Sequence, residues 1–354
     1  MEFINATRMV ADCAMGVDVA ARESLVVIIK GTFVLPRDGE PVRLADEQCP
    51  LTVADTFTGD PGRSAPIHES DYAPRKRFCD VLLLGSAHAP GGRPVTRLQV
   101  GLRVDSVVKH FDVLGERRWI AGMGGIRTSA PAPFDRQPVS YDVAFGGVDQ
   151  ASADPEEHAA YDANPVGRGF HKVLKSAWVD GRHLPLTERP GEAVSRPDGR
   201  YAPMAFGPVG RGWTERRSRA GTYDQAWRDE VFPFLPKDFD DRYFQAAPSD
   251  QQLPLTSAPV AVALLNLTPD GLRRFEIPHF EAPVHVFPRD GGREDLRAVL
   301  DTIVFMPDEE RFTLCWRAAR PLRRNMLEVG QVLIGRKEPA WWQAREVPMS
   351  VESV

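Results

Sequence analysis

Proline and glycine punctuate this chain from end to end, 31 and 29 of its 354 residues, and that spread leaves little room for long helices. Each proline removes a helix donor, and each interior glycine costs helix stability. Between them lie short runs rich in β-branched residues and bounded by turn signals, the pattern of strands. They fall at 25–35, 81–88, 98–104, 107–114, 260–267, 284–287, 300–306 and 311–317. The expected fold is mainly β: antiparallel sheets in a sandwich-like arrangement, with long ordered loops and a few short helices.

Residues 26–29 and 81–84 are continuously apolar, as in strands covered on both faces. In 107–113, Val107, Lys109, Phe111 and Val113 share one face, apolar apart from Lys109. Asp105-Ser106 sits between two such runs as a tight hairpin connection without the favoured glycine. Helical signals are local: Asp154-Pro155-Glu156-Glu157 is a good helix start, and 223–230 and 294–300 are each long enough for a turn or two. The chain divides into a β-rich part at 1–150, an irregular region at 151–250 and a second β-rich part at 251–354 packed with the first. Aromatic residues throughout the irregular region argue against disorder there.

Hydrophobic residues make up 42% and charged residues 26%, the composition of a soluble globular protein. A net charge of −5 gives no electrostatic footprint for nucleic acid or an anionic membrane. Cys13, Cys49, Cys79 and Cys315 form no C-x-x-C pair, so they read as small hydrophobes in a reducing compartment. The first sixteen residues carry Glu2, Arg8 and Asp12 and lack a signal-peptide core. No run approaches the roughly 18 apolar residues of a membrane span. A cytoplasmic location is expected.

The middle third is dominated by turn chemistry: Tyr141-Asp142-Val143-Ala144-Phe145-Gly146-Gly147, then Asn164-Pro165-Val166-Gly167-Arg168-Gly169-Phe170, then Gly207-Pro208-Val209-Gly210-Arg211-Gly212-Trp213, then Gly221-Thr222-Tyr223-Asp224. The second and third share the spacing x-Pro-Val-Gly-Arg-Gly-aromatic. Their arginine forks suit a carboxylate or backbone carbonyls, either pinning loops to the β core or facing a partner, since arginine and aromatics also make hot spots. Tyr141, Arg168, Arg211, Trp213 and Trp227 are the candidate partner-binding anchors, a role that requires them to reach the surface.

Reacting groups are harder to find. There is no Walker pattern, and Gly122-Met123-Gly124-Gly125 reads as a turn. His68-Glu69 has no second histidine at helical spacing, and prolines break the segment holding His279 and His285. Asp238-Phe239-Asp240-Asp241 lacks the spacing of a calcium loop and better caps a helix entering Arg242-Tyr243-Phe244. No catalytic residue, metal site or cofactor is expected.

Several segments, in order, resemble one bacterial family, domain-of-unknown-function family 2169. They are Lys30-Gly31-Thr32-Phe33, Asp71-Tyr72-Ala73-Pro74-Arg75-Lys76, residues 79–87, 141–147, 164–170, Gly221 to Asp224 with Trp227, residues 236–240, residues 247–252, Asp301-Thr302 and Trp316-Arg317. The resemblance covers about residues 20–320 and rests on order and spacing. It implies a type VI secretion adaptor or chaperone that loads a toxic effector, often one with a PAAR tip domain, onto the VgrG spike. It supplies no catalytic residues. Two other readings stand beside it: a hydrolase with a site drawn from His183, Asp224 or Asp238–Asp241, and a structural component of the secretion apparatus.

Overall fold

The apolar run at 25–29 lies in the longest strand. In the computed structural model, which describes residues 1–255 and 259–346, Glu23–Val34 pairs antiparallel with Val10–Val17 on one side and Arg311–Pro321 on the other. Val299–Met306 lies beyond Arg311–Pro321 and runs parallel to Phe78–Leu83. Gln252–Pro254 and the short Arg43–Leu44 bring this sheet to seven strands.

A five-stranded sheet takes the order Thr187–Glu188, Val107–Leu114, Arg97–Val104, Val260–Leu265, Leu272–Ile277. A four-stranded sheet takes the order Glu2–Asn5, Val329–Ile334, Pro283–Pro288, Glu294–Arg297. Each of the three draws strands from both residues 1–150 and residues 251–346. Their inner faces meet in one apolar core that includes Val27, Phe33, Leu102, Phe111, Val262, Val286, Phe305 and Val332. Phe275 of the five-stranded sheet lies 5.7 Å from Phe312 and 6.2 Å from Phe305, ring to ring, across that core. Each such fully buried side chain contributes about 1.5–3 kcal/mol. The fold is therefore mainly β, as expected, and the longest helix among the described residues, Pro339–Glu346, has eight residues. No helix among them is long and apolar enough to cross a membrane.

Local expectations are met in detail at 104–114. Val104 faces Val107 across a two-residue turn, and Asp105 adopts a φ of 48° there, a conformation aspartate tolerates better than most side chains. Its carboxylate accepts the Ala261 N–H at 2.9 Å. Val107, Lys109, Phe111 and Val113 all point into the interior. Lys109 is accommodated because Nζ donates to Gln251 Oε1 at 2.8 Å and to Asp250 Oδ1 at 3.1 Å.

Other expectations need correction. The segment 294–300 is not helical: Glu294–Arg297 pairs with Pro283–Val286 and then leads into the next strand, because the cross-strand ladder outweighs a weak local helix signal. The run 81–88 is broken at Leu84 and Gly85 into two strands belonging to different sheets. Val10–Val17, Leu272–Ile277 and Val329–Ile334 are strands that the sequence pattern did not single out.

Candidate functional site

The repeated turn motifs fold against each other. Asn164 is fully buried, and its side-chain amide donates to the carbonyls of Tyr141 at 2.9 Å and Phe145 at 3.1 Å. Phe145–Gly146 pairs with Arg168–Gly169. The glycines there answer a steric demand. A Cβ on Gly147, whose φ is 108°, would lie 2.5 Å from the Gly167 carbonyl oxygen, and one on Gly167 would lie 2.5 Å from the Ala144 oxygen.

Tyr141 and Trp213 stand edge to face, ring centroids 5.0 Å apart, within a small cluster of Ala65, Ala144, Ala205 and Val209. They are only 4% and 7% exposed. The two are thus interior residues, a correction to their expected place at the surface. Each ring fills the space its glycine-rich neighbours leave open.

Both motif arginines hold carboxylates of other segments. Arg168 donates to Glu116 at 3.0 Å, and His183 Nδ1 shares the other oxygen of Glu116 at 3.0 Å. Burial alone pushes the Glu116 carboxyl up, but the His183 hydrogen bond and Arg168 hold it below its ordinary value. Arg211 donates to both oxygens of Asp55, at 2.7 and 3.1 Å, and lies 2.6 Å from Glu69. The buried Arg216 donates to the same Glu69 and to the carbonyls of Val209 and Tyr243. Pro165 of one motif and Pro208 to Trp213 of the other line a cavity of about 270 Å³ at this junction. Arg211 therefore acts as a pin between the 207–217 loop and the covering segment that contains Asp55 and Glu69.

Trp227 belongs to a separate structure. Residues 221–239 leave the body as a lobe whose ends are tied by Thr222, which donates to Asp238 through N at 3.0 Å and Oγ1 at 2.8 Å. Asp224 caps the helix Gln225–Glu230 by accepting the Trp227 N–H at 2.9 Å, and the indole Nε1 donates to the Phe234 carbonyl at 2.9 Å. Tyr223 and Phe232 pack edge to face on the half-buried indole, 4.8 and 5.6 Å away. Yet Tyr223 is 49% exposed, Phe232 66% and Phe234 44%. Large rings gathered in the open are unusual on a monomer and mark interaction surfaces. Sequence reading found Trp227 here but not Phe232 and Phe234; the signal was the aromatic density of 223–234, which does not reveal which rings face outward.

The carboxylates considered for a hydrolase are engaged in structural contacts. Asp224 and Asp238 are accounted for above, Asp241 lies 2.5 Å from Arg75, and Asp240 caps Asp241–Phe244 by accepting the Arg242 N–H. The Arg242 side-chain hydrogen bond brings the Asp240 carboxyl down from 3.8 to about 2. A lowered folded pKa stabilises the native state above the unfolded value, and that contribution fades as pH falls through about 2. An NMR titration of the carboxyl carbons is expected to show Asp240 still ionised at pH 3; a midpoint near 3.8 would contradict the cap geometry.

Several of the segments behind the family resemblance (30–33, 71–76, 79–87, 301–302 and 316–317) converge under the covering loop on the far face of the seven-stranded sheet. Lys30 meets Asp71 at 2.8 Å, and Lys76 meets Asp80 at 2.6 Å and Thr302 Oγ1 at 2.9 Å. Arg317 pairs with Asp301 and donates to the Asp71 carbonyl at 2.6 Å. Asp80 also accepts from Gln245 Nε2 at 2.7 Å and from the Ala246 N–H at 2.8 Å. Burial disfavours the Lys76 ammonium, but Asp80 and Asp301 outweigh it and raise its pKa above the ordinary value.

The chain thus combines a β-rich scaffold, a buried ionic frame and an exposed aromatic lobe. Residues 20–317 match the family described as "Uncharacterized protein conserved in bacteria (DUF2169)", and the chain belongs to that family. No curated protein and no solved structure matches it.

Proposed function

We propose that this chain is a non-catalytic adaptor, or chaperone, that binds a type VI secretion effector in the cytoplasm and helps load it onto the VgrG spike with its PAAR-containing tip. The observation that carries this reading is the lobe at 221–239, with Tyr223, Phe232 and Phe234 exposed around Trp227. Exposed rings on a pre-tied loop offer large apolar contact at low entropic cost, as interface hot spots do. The family resemblance supports the nature of the client.

The test is affinity capture of the tagged chain from its own cell lysate, with mass spectrometry of the co-purifying proteins. A triple variant, Tyr223→Ala, Phe232→Ala and Phe234→Ala, runs in parallel. Recovery of a toxin-like protein with a PAAR or spike component, lost at least about thirtyfold in the triple variant, is the expected result. Recovery of the bait alone at low salt, or equal recovery by the variant, would defeat the proposal.

A further inference from the structure

The outer face of the five-stranded sheet breaks the pattern of a solvated sheet. Such faces ordinarily alternate apolar inward with polar outward. Here one cross-strand row reads Val108, Arg103, Ala263, Arg274, and the next reads His110, Gly101, Leu265, Leu272. Val108 is 60% exposed and Leu272 38%. The face carries an open trough of about 650 Å³ that includes Arg103, Ala263 and Arg274 in its lining.

The two arginines are the second departure. Arg103 and Arg274 both stand exposed, and neither guanidinium has an ion-pair or hydrogen-bond partner among the described residues. Two nearby carboxylates each accept a backbone N–H, Asp105 that of Ala261 and Asp38 that of Arg274 at 2.7 Å, and neither meets either guanidinium among the described residues. Glu276, one row along from Arg274, is the remaining exposed carboxylate.

Arg103 and Arg274 flank Ala263 in register, two strand spacings or about 9.5 Å apart. Side chains of that length can converge above Ala263, where nothing beyond a methyl group occupies the floor. Two guanidinium forks over an apolar floor match a carboxylate carried on an apolar segment. We infer that this face docks an acidic, apolar segment of a protein partner, one carboxylate seated over Ala263 between Arg103 and Arg274. Nucleic acid and anionic lipid fit less well, since two cations beside Glu276 on a chain of net charge −5 cannot follow a continuous array of phosphates. The inference is separate from the lobe and does not rest on the effector reading.

The test is fluorescence anisotropy on the full chain with a labelled peptide of alternating leucine and glutamate, the leucine–lysine peptide serving as control. The glutamate peptide is expected to bind, more weakly as salt rises. Arg103→Ala and Arg274→Ala should each weaken binding about tenfold, and Ala263→Trp should block it with all charges kept. All three positions lie on the open face, and a matching urea melt confirms that each variant is folded. The lobe triple variant should bind the peptide as the parent does, so failure here and failure of the adaptor reading are distinguishable. Absence of binding, equal binding of the lysine peptide, or indifference to the arginine substitutions would overturn the inference. So would tighter binding of a single-stranded oligonucleotide or of phosphatidylserine vesicles through the same arginines.

Discussion

Asp80→Ala is expected to cost about 3–5 kcal/mol of folding stability. Asp80 is fully buried and neutralises Lys76 while accepting from Gln245 and the Ala246 N–H. Its removal leaves an interior ammonium with the Thr302 hydroxyl but no carboxylate in contact, together with two donors that each lose an acceptor. Typical domains hold only about 5–15 kcal/mol in total, so this variant should sit near its unfolding threshold at 25 °C. Urea denaturation would register the loss as a lower midpoint with an unchanged slope. Adding Lys76→Met to Asp80→Ala should recover part of the loss, because the charge that lacked a carboxylate is then gone. A single variant within about 1 kcal/mol of the parent would show that the pair is not a structural unit.

Trp213→Ala should cost about 3–5 kcal/mol through cavity formation against Tyr141, whereas Phe232→Ala should change stability by no more than about 0.5 kcal/mol. Both are aromatic residues among glycines, prolines and arginines, but one is 7% exposed and the other 66%. The partner assay should rank them the other way when corrected for folded fraction: Phe232→Ala weakens capture and Trp213→Ala does not. Equal destabilisation by the two would mean that the lobe is part of the core and not a contact surface.

That contrast also shows what could be read from the sequence. Where chain geometry has a period, the reading holds: the alternation at 107–113 correctly sets Lys109 on the inner face, and the apolar runs at 26–29 and, as far as Leu83, at 81–84 become covered strands. The cap at Asp240 and the helix after Asp224 follow from short-range chemistry that needs no tertiary context. Irregular segments have no period, so nothing in Gly-Arg-Gly-Trp says whether the indole faces in or out. Tyr141 and Trp213 turn inward against each other, and at Gly210 a Cβ would lie 2.5 Å from the Trp213 indole nitrogen. Strands such as Val10–Val17, whose apolar residues are interrupted by Asp12, show themselves only when a long partner strand is present. The clamp of Arg103 and Arg274 depends on register between strands far apart in sequence, and register is a property of the assembled sheet.

The seven-stranded sheet has a temporal consequence. Its two central late strands, Val299–Met306 and Arg311–Pro321, insert between Phe78–Leu83 and Glu23–Val34. During synthesis the early strands must therefore wait, their inner edges open, until the chain through Pro321 has left the ribosome. Contacts of such long sequence separation close slowly, and waiting edges are prone to pair with other chains. A fragment ending near residue 295 would lack the middle of its own sheet. Production of the folded protein is thus governed by these two late strands, and the native sheet should form abruptly, only after both are in place.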